Sequence, residues 1–592
     1  MTVHSLTPAA QVPHAPQNAA TPRWGRTRHA FSLFSRYWTS RDWKFAWFAL
    51  IMLLTITLSQ VYFAVWMIDW ERRFFDSVER RQAALFLPLV GTFAAIFLSR
   101  TLAELANQYL GMAVGLRWRV CLTERYVDRW FARDRFYAIE RLNLIDNPDQ
   151  RIADDVQRFT AGVLNLVIGG IYAVVSAISF GAVLLATSEA VRFSLFGRSI
   201  ALPGDMIWYA VLYAIGGSIA IIYIGRPFVR RQMRQQHYEA DFRTAMLHVR
   251  RNASQISFAR APATEARSLR DRFDAVRHNF VRVVWSELAL IGASNGYQQF
   301  GSFFPLLLTV PRYFAGRITF GEVMAANSTF LQLSGSLSWF ISSYSPIGEQ
   351  VANVSRLKAL DDALDGQSTR GIDFGVGTDD GAVALRTSGL RIDRPAGGTL
   401  LDVGDWRVAK GERWVIQGPS GMGKSTLLRA IAGLWPEGAG GITMGRHRLL
   451  MFVPQRLYLP HASLKDAICF PDDGGAHDDA TVLAILREVR LHDHAGDLHA
   501  VRQWQEQLSP GEQQRIAMAR ILLHRPDMLV VDEATSALDE DNAHHFHQAI
   551  LAQLPELTLI SVIHDDRLVP YHTHRLDLAD GKATAGRLEN DE

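Results

Sequence analysis

Gly418-Pro419-Ser420-Gly421-Met422-Gly423-Lys424-Ser425-Thr426 decides the fold of the C-terminal part of this chain. The stretch fits G-x-x-x-x-G-K-S/T, in which glycines let successive backbone N–H groups wrap a row of phosphates. Its surroundings fit too. Arg413 to Gln417, with Trp414, Val415 and Ile416, reads as the strand before the loop, and Leu427 to Leu434 as the helix after it. A helix N-terminus adds positive potential at the same place. Gly418, Ser420, Gly421, Gly423, Lys424, Ser425 and Thr426 are therefore the candidate phosphate-binding residues. Lys424 suits the β- and γ-phosphates, and Ser425 suits Mg2+. Further on, Met528-Leu529-Val530-Val531-Asp532-Glu533 is an apolar strand ending in two carboxylates. Asp532 suits the Mg2+ shell, and Glu533 suits orienting or deprotonating an attacking water. Alone, that pair fits an ordinary strand-end turn equally well.

Between the two lies Leu508-Ser509-Pro510-Gly511-Glu512-Gln513-Gln514-Arg515. It resembles the signature sequence of ABC ATPases, usually LSGGQ followed by a helix. Ser509 and the N–H groups of a helix start suit an anion. Pro510 replaces the usual glycine, and proline is tolerated in a first helical turn. The remaining parts follow in the family's order. Gln455, in Phe452-Val453-Pro454-Gln455, resembles the Q-loop glutamine that senses Mg2+. Ser536-Ala537-Leu538-Asp539 resembles the D-loop, and His564, after the apolar run Leu559 to Ile563, resembles the switch histidine. The resemblance implies ATP as cofactor, with Mg2+. It implies catalytic roles for Glu533, His564 and Gln455, a metal shell of Ser425, Gln455 and Asp532, and nucleotide contacts from Ser509, Gly511 and Asp539. Arg394, in Ile392-Asp393-Arg394-Pro395, stands where the family often stacks an aromatic ring on adenine. A guanidinium stacks on a base as well.

Outward from this region the character of the chain changes. A bilayer crossing needs about 20 mostly apolar residues. Six runs qualify: about Phe45 to Ile68, Ala83 to Gly111, Val163 to Thr187, Met206 to Ile224, Val284 to Val310 and Phe320 to Ser343. Asn327, Gln332 and several serines interrupt the last. An even number returns the chain to the side on which it started. Arg-rich stretches follow the second run (Arg117 to Arg141) and the fourth (Arg226 to Arg251), which places both loops in the cytoplasm; their helical pattern and unusual length make them continuations of the membrane helices. Asp69 to Arg81 faces the other side despite Arg72, Arg73, Arg80 and Arg81, because Asp69, Glu71, Asp76 and Glu79 balance them. Both termini are then cytoplasmic. The first 22 residues, rich in Ala, Pro, Thr and Gln, read as a disordered tail.

The expected organisation is a disordered or amphipathic N-terminus over 1–40, a transmembrane domain over 41–345, a linker over 346–381 and an ATP-binding domain over 382–592. Within the linker, Arg356 to Leu364 reads as a short charged helix. The fold class is an α-helical membrane domain, six-helix and like the type-1 ABC exporters, plus an α/β P-loop NTPase domain. The net charge of +3 is too small to point to nucleic acid, and two cysteines, Cys121 and Cys469, imply no disulfide framework.

Leu144-Ile145-Asp146-Asn147-Pro148-Asp149-Gln150-Arg151-Ile152-Ala153-Asp154-Asp155 resembles a segment shared by SbmA/BacA-type peptide-uptake proteins and subfamily D half-transporters. Tyr238 to Arg243 is similar to both. The resemblance implies a homodimer in a bacterial inner membrane that takes up peptides, cobalamin-like molecules or other small hydrophilic solutes, with Asp146–Asp155 seated in a groove of the ATPase domain. The same layout also serves exporters of lipids, acyl-CoA-like molecules or drugs. A third possibility is a membrane-anchored regulatory ATPase that moves nothing. Glu104, Asn107 and Gln108 on the second run, and Asn295, Gln298 and Gln299 on the fifth, are candidates for a polar pathway. The alternative for Glu104 is an interfacial ion pair with an arginine.

Overall fold

The computed structural model describes residues 23–188, 191–195, 198–202, 204–366, 371–377, 382–446 and 449–588. The tail expected over the first 22 residues lies outside them. The chain divides into two units: Met1–Arg135 with Leu142–Leu364, and Phe136–Arg141 with Asp365–Glu592.

The first unit is built of long helices. After Arg23–Trp38 come Trp43–Glu79, Phe86–Phe131, Val156–Thr187, Asp205–Arg251, Pro262–Phe314, Phe320–Ser342 and Tyr344–Asp365. The 47 residues of Asp205–Arg251 extend about 70 Å at about 1.5 Å per residue, over twice the ~30 Å of a hydrocarbon core. The Arg-rich loops of the sequence are therefore continuations of the apolar helices. Four helical stretches are long and apolar enough to cross a membrane: Trp43–Glu79, Ala83–Arg141, Pro148–Ala186 and Asp205–Arg251. They contain the first four expected spans. The fifth and sixth fall in Pro262–Phe314 and Phe320–Ser342, whose polar residues keep them out of that set.

Small residues let these helices approach. A Cβ at Gly217 would fall 1.8 Å from the Tyr297 ring, so Asp205–Arg251 and Pro262–Phe314 pack backbone to ring, with Tyr213 stacked on Tyr297 at 4.4 Å. Ala64, Ile68, Phe180, Leu184, Met206, Ala210, Ala325 and Phe330 form a buried cluster among four helices. The charges of Asp69 to Glu79 are partnered locally. Asp69 pairs with Arg72 and Arg73, Asp76 accepts from the Gly321 N–H and Glu79 from the Phe320 N–H. That explains how a charged stretch continues a membrane helix. An antiparallel hairpin, Val191–Leu195 with Arg198–Leu202, separates the third and fourth expected spans.

One segment differs from its sequence reading. Arg356 to Leu364 is the end of a 22-residue helix, Tyr344–Asp365, so the first half of the expected linker is helical. Its Arg356 holds the buried Asp155 carboxylate at 2.7 and 2.9 Å, and its backbone carbonyl accepts from Arg151 at 2.9 Å. By these bonds Asp146–Asp155 belongs to the helical unit. Phe136–Arg141 is grouped with the second unit.

The second unit is an α/β domain. Its central strands, in the order His574–Ala579, Arg413–Gln417, Thr558–Val562, Met528–Asp532 and Leu450–Val453, are parallel. Thr558 to Val562 are all buried, as expected of strands covered on both faces. Val383–Asp393, Thr399–Gly404 and Gly438–Met444 form an antiparallel part of the same sheet. A helical part, with Leu464–Cys469, Asp479–Glu488 and Pro510–His524, closes over a core that includes Trp504, Leu486, Ile521 and Phe546.

Candidate nucleotide site

The strand Arg413–Gln417 delivers the chain to the phosphate loop, and Lys424–Ile431 leaves it as a helix. The helix starts three residues earlier than the sequence suggests, directly at Lys424, because Gly423 at φ 96 makes the turn. It stops at Ile431, before Gly433 and Pro436. Gly418 sits at φ 146, and a Cβ there would fall 2.5 Å from the Leu578 carbonyl oxygen. Only glycine fits both conditions. Gly421 also has positive φ, whereas Ser420 and Thr426 need no special backbone. Lys424 is 6% exposed, and its Nζ donates to the carbonyls of Gly418 at 2.6 Å and Pro419 at 3.3 Å. The ammonium is thus curled into the loop whose N–H groups would cradle phosphate.

Next to it the Ser425 hydroxyl donates to Asp532 Oδ1 at 3.2 Å. Burial raises the Asp532 carboxyl above its ordinary value, the Ser425 bond opposes this, and the neighbouring Glu533 charge reinforces it. A hydroxyl and a half-buried carboxylate on one spot form the hard-oxygen set that suits Mg2+. Gln455 follows the end of the neighbouring strand Leu450–Val453.

Glu533 is the focus. Its backbone is left-handed, φ 54, immediately after the strand. For a residue with a Cβ this costs of order 1–3 kcal/mol and is found where geometry serves function. The turn aims the carboxylate between two groups. Gln455 Nε2 donates to Glu533 Oε2 at 2.8 Å, and His564 Nε2 lies 2.8 Å from Oε1. The three residues read as catalytic therefore meet at one carboxylate, although they lie on three different strand ends.

Ser509, Gly511 and Asp539 are organised differently. Ser509 caps the helix Pro510–His524 in a reciprocal capping box: its Oγ accepts from the Glu512 N–H at 3.3 Å, and Glu512 accepts from the Ser509 N–H at 2.8 Å. Pro510 occupies the first turn, where its missing N–H costs nothing. The Ser509 hydroxyl bond holds the Glu512 carboxyl down to about 2, against burial and with help from His494. A Cβ on Gly511 would meet the Ala537 carbonyl at 3.1 Å. Asp539 caps Glu540–Gln553 by accepting from the Asn542 N–H at 2.8 Å. The bonds of Ser509 and Asp539 stay within their own caps, leaving both on the surface.

Gln514 was quoted within the signature stretch without a role. Its amide donates to the Glu533 carbonyl at 3.4 Å and the Ser536 hydroxyl at 3.3 Å, and accepts from the Ala537 N–H at 3.0 Å. It thus ties the helix Pro510–His524 to the turn that aims Glu533. Its position one turn into a capped helix was the available signal. Together with Gln455, Gln513, Pro510, Ala534 and Ala537 it lines a cavity of about 420 Å3. Arg394 lies in the turn between Val383–Asp393 and Thr399–Gly404, with its guanidinium donating to the Thr399 carbonyl at 3.1 Å. The following Leu400 reaches the phosphate loop: a Cβ on Gly423 would lie 3.3 Å from its side chain.

Two family models match the chain: "ABC transporter transmembrane region 2" over residues 34–314 and "ABC transporter" over 401–536. An uncharacterized ABC transporter ATP-binding protein of Synechocystis is 32% identical over 88% of this chain and 78% of its own length. The inner membrane ABC transporter ATP-binding protein YddA of Escherichia coli is 28% identical over 90% and 94%. The lysosomal cobalamin transporter ABCD4 of Homo sapiens is 27% identical over 83% and 85%. Among solved structures, a bacterial Atm1-family ABC exporter with ATP bound shares the fold at TM-score 0.70, with 18% identity over 91% of this chain and 95% of that one. The chain therefore belongs to the ABC transporter family, as a membrane-embedded half-transporter whose helical membrane domain and ATP-hydrolysing domain share one polypeptide.

Proposed function

We propose that this transporter is a homodimer of a bacterial inner membrane, with six spans per protomer and both termini cytoplasmic, that couples ATP and Mg2+ to uptake of a small hydrophilic or peptide cargo. The observation that carries the ATPase reading is the Glu533 carboxylate held between Gln455 and His564, beside Ser425 and Asp532. In this reading Lys424 and the N–H groups of Gly418, Ser420, Gly421, Gly423, Ser425 and Thr426 hold the phosphates. Ser425, Asp532 and Gln455 offer oxygens to Mg2+, which when bound offsets charge on the β- and γ-phosphates. Glu533 accepts the proton of the attacking water, and His564 orients it toward the γ-phosphate. Ser509, Gly511 and Asp539 of one protomer complete the site of the other.

Glu104, Gln108, Asn295, Gln298 and Gln299 are exposed on the helices of the membrane half. Lipid contact would be costly there, so a water-filled pathway for polar cargo is the better reading. Glu104 accepts from Gln60 across two helices at 2.9 Å, and among the described residues from no arginine. Uptake follows the resemblance at Asp146–Asp155, and a relative named as a cobalamin transporter extends the cargo class to cobalamin-like molecules.

Growth with a toxic peptide tests the direction. Cells expressing the wild type become sensitive, and Glu533→Gln abolishes the sensitivity. Acquired resistance would support export instead. Hydrolysis in vesicles with no solute flux would support the regulatory ATPase.

A further inference from the structure

The far end of the signature helix carries a side-chain cluster that nucleotide chemistry does not use. Asp472 follows the helix Leu464–Cys469, His477 follows the short turn Gly474–Ala476, and His524 is the last residue of Pro510–His524. His477 Nε2 lies 3.4 Å from Asp472 Oδ2, and His524 Nδ1 lies 3.6 Å from the same oxygen. One ligand atom from each residue falls within 4.8 Å of the others. The two rings meet edge to face at 5.9 Å.

Two details distinguish this from a surface ion pair. The His524 side chain is 6% exposed, and its Nε2 lies 3.2 Å from the Phe470 carbonyl oxygen. A carbonyl only accepts, so Nε2 carries the proton and Nδ1 is turned toward Asp472. Metal-binding imidazoles are oriented in this way by a carbonyl on the other ring nitrogen. Secondly, His477 Nε2 is buried and has no hydrogen-bond partner among the described residues. Two ring nitrogens thus face one carboxylate oxygen, at 3.4 and 3.6 Å. A tetrahedral ion with bonds of about 2.0–2.2 Å holds its ligands about 3.3–3.6 Å apart.

We propose that Asp472, His477 and His524 bind one divalent transition-metal ion of the zinc class. Two imidazoles and one carboxylate favour zinc over Mg2+ or Ca2+, which take oxygen ligands. The exposed Asp472 leaves a fourth position open to water. The ion pins the turn Pro471–His477 to the C-terminal end of the helix that begins with Ser509 and Gly511. It thereby restrains the helix at the end opposite the nucleotide.

The test uses the purified full-length chain in detergent, stripped by a chelator. Zn2+ alone is titrated in competition with a chromophoric chelator, and Co2+ is added separately to read visible absorption. The 19 histidines of the chain supply a weak background, which His477→Ala and Asp472→Asn share. The wild type should bind one Zn2+ per chain at least tenfold more tightly than either variant, and its Co2+ form should show a four-coordinate visible band that both lack. His524→Ala risks unfolding, so the two surface variants carry the test, with metal-free melting curves matching the stripped wild type. Equal Zn2+ affinity in wild type, His477→Ala and Asp472→Asn overturns the proposal and leaves the cluster as an ion pair only.

Discussion

Glu533 joins three strand ends through two hydrogen bonds, so its replacement separates binding from chemistry. Glu533→Gln leaves the Lys424 loop untouched and should keep ATP binding while phosphate release falls about 10²-fold or more. Nucleotide binding and turnover measured on the same preparation check this. Glu533, Gln455 and His564 were legible because each falls in a motif with fixed neighbours. Gln514 was not, since its role arises from bonds to a turn about 20 residues away that no local pattern encodes. The pair His547 and His572 was equally silent. Burial pushes His547 down to about 3 and His572 to about 4, against about 6.5 in an unfolded chain. Below about 6.5 the unfolded state takes protons that the folded state refuses, so stability falls as pH drops toward the folded values. His547 stacks on Tyr571 at 5.3 Å while its buried Nε2 has no hydrogen-bond partner among the described residues. His547→Phe keeps the stack and removes the proton acceptor. Between pH 7 and pH 5 the wild-type ATPase unit should lose ~1–2 kcal/mol more than the variant, read from melting curves at the two pH values.

Among the elements, the strands Arg413–Gln417 and Met528–Asp532 were readable from apolar runs, and the signature helix from the resemblance of Leu508 to Arg515. The membrane helices were readable in position, and the helical pattern of the charged stretches announced their continuation. Arg226 to Arg251 lacks the apolar signal but belongs to the same helix as the fourth span. The hairpin Val191–Leu195 with Arg198–Leu202 escaped because five-residue runs beside a long span read as loop. Phe136–Arg141 groups with the ATPase unit, which no apolar or charge pattern announced. Within that unit, the short helix Arg135–Arg141 ends on Arg141, which meets Glu437 bidentately at 3.0 and 2.7 Å and lies 4.8 Å over the Trp435 ring. Trp435 Nε1 in turn donates to the Asp393 carbonyl, next to Arg394, at 3.0 Å. Both partners are largely buried, with side chains 11% and 23% exposed, so losing one leaves the other uncompensated. Arg141→Glu and Glu437→Arg should each destabilise the unit by ~3 kcal/mol. The double reversal should recover much of that loss. Melting of the four proteins, with the ratio of cargo uptake to ATP turnover, distinguishes a pairing role from simple loss of packing.

At the scale of the whole molecule, the proposed dimer divides each nucleotide site between two chains. The phosphate loop, the Glu533 cluster and the oxygens for Mg2+ lie together, while the hydrogen bonds of Ser509 and Asp539 close on their own helices. A two-fold dimer would present those surfaces to the partner's nucleotide, giving two sites from two copies of the same halves. Mixed dimers test the arrangement directly. One protomer carries Lys424→Ala and the other Ser509→Arg, each variant inactive as a homodimer. If the sites form in trans, one site combines both lesions and the other combines a wild-type phosphate loop with a wild-type signature helix. The purified mixed dimer should then recover about half of wild-type ATP turnover if the two sites act independently. If instead each chain built its own site, both sites would carry a lesion and the mixed dimer would stay as inactive as its parents. Tandem-affinity purification of the mixed species, followed by phosphate release, decides between the two.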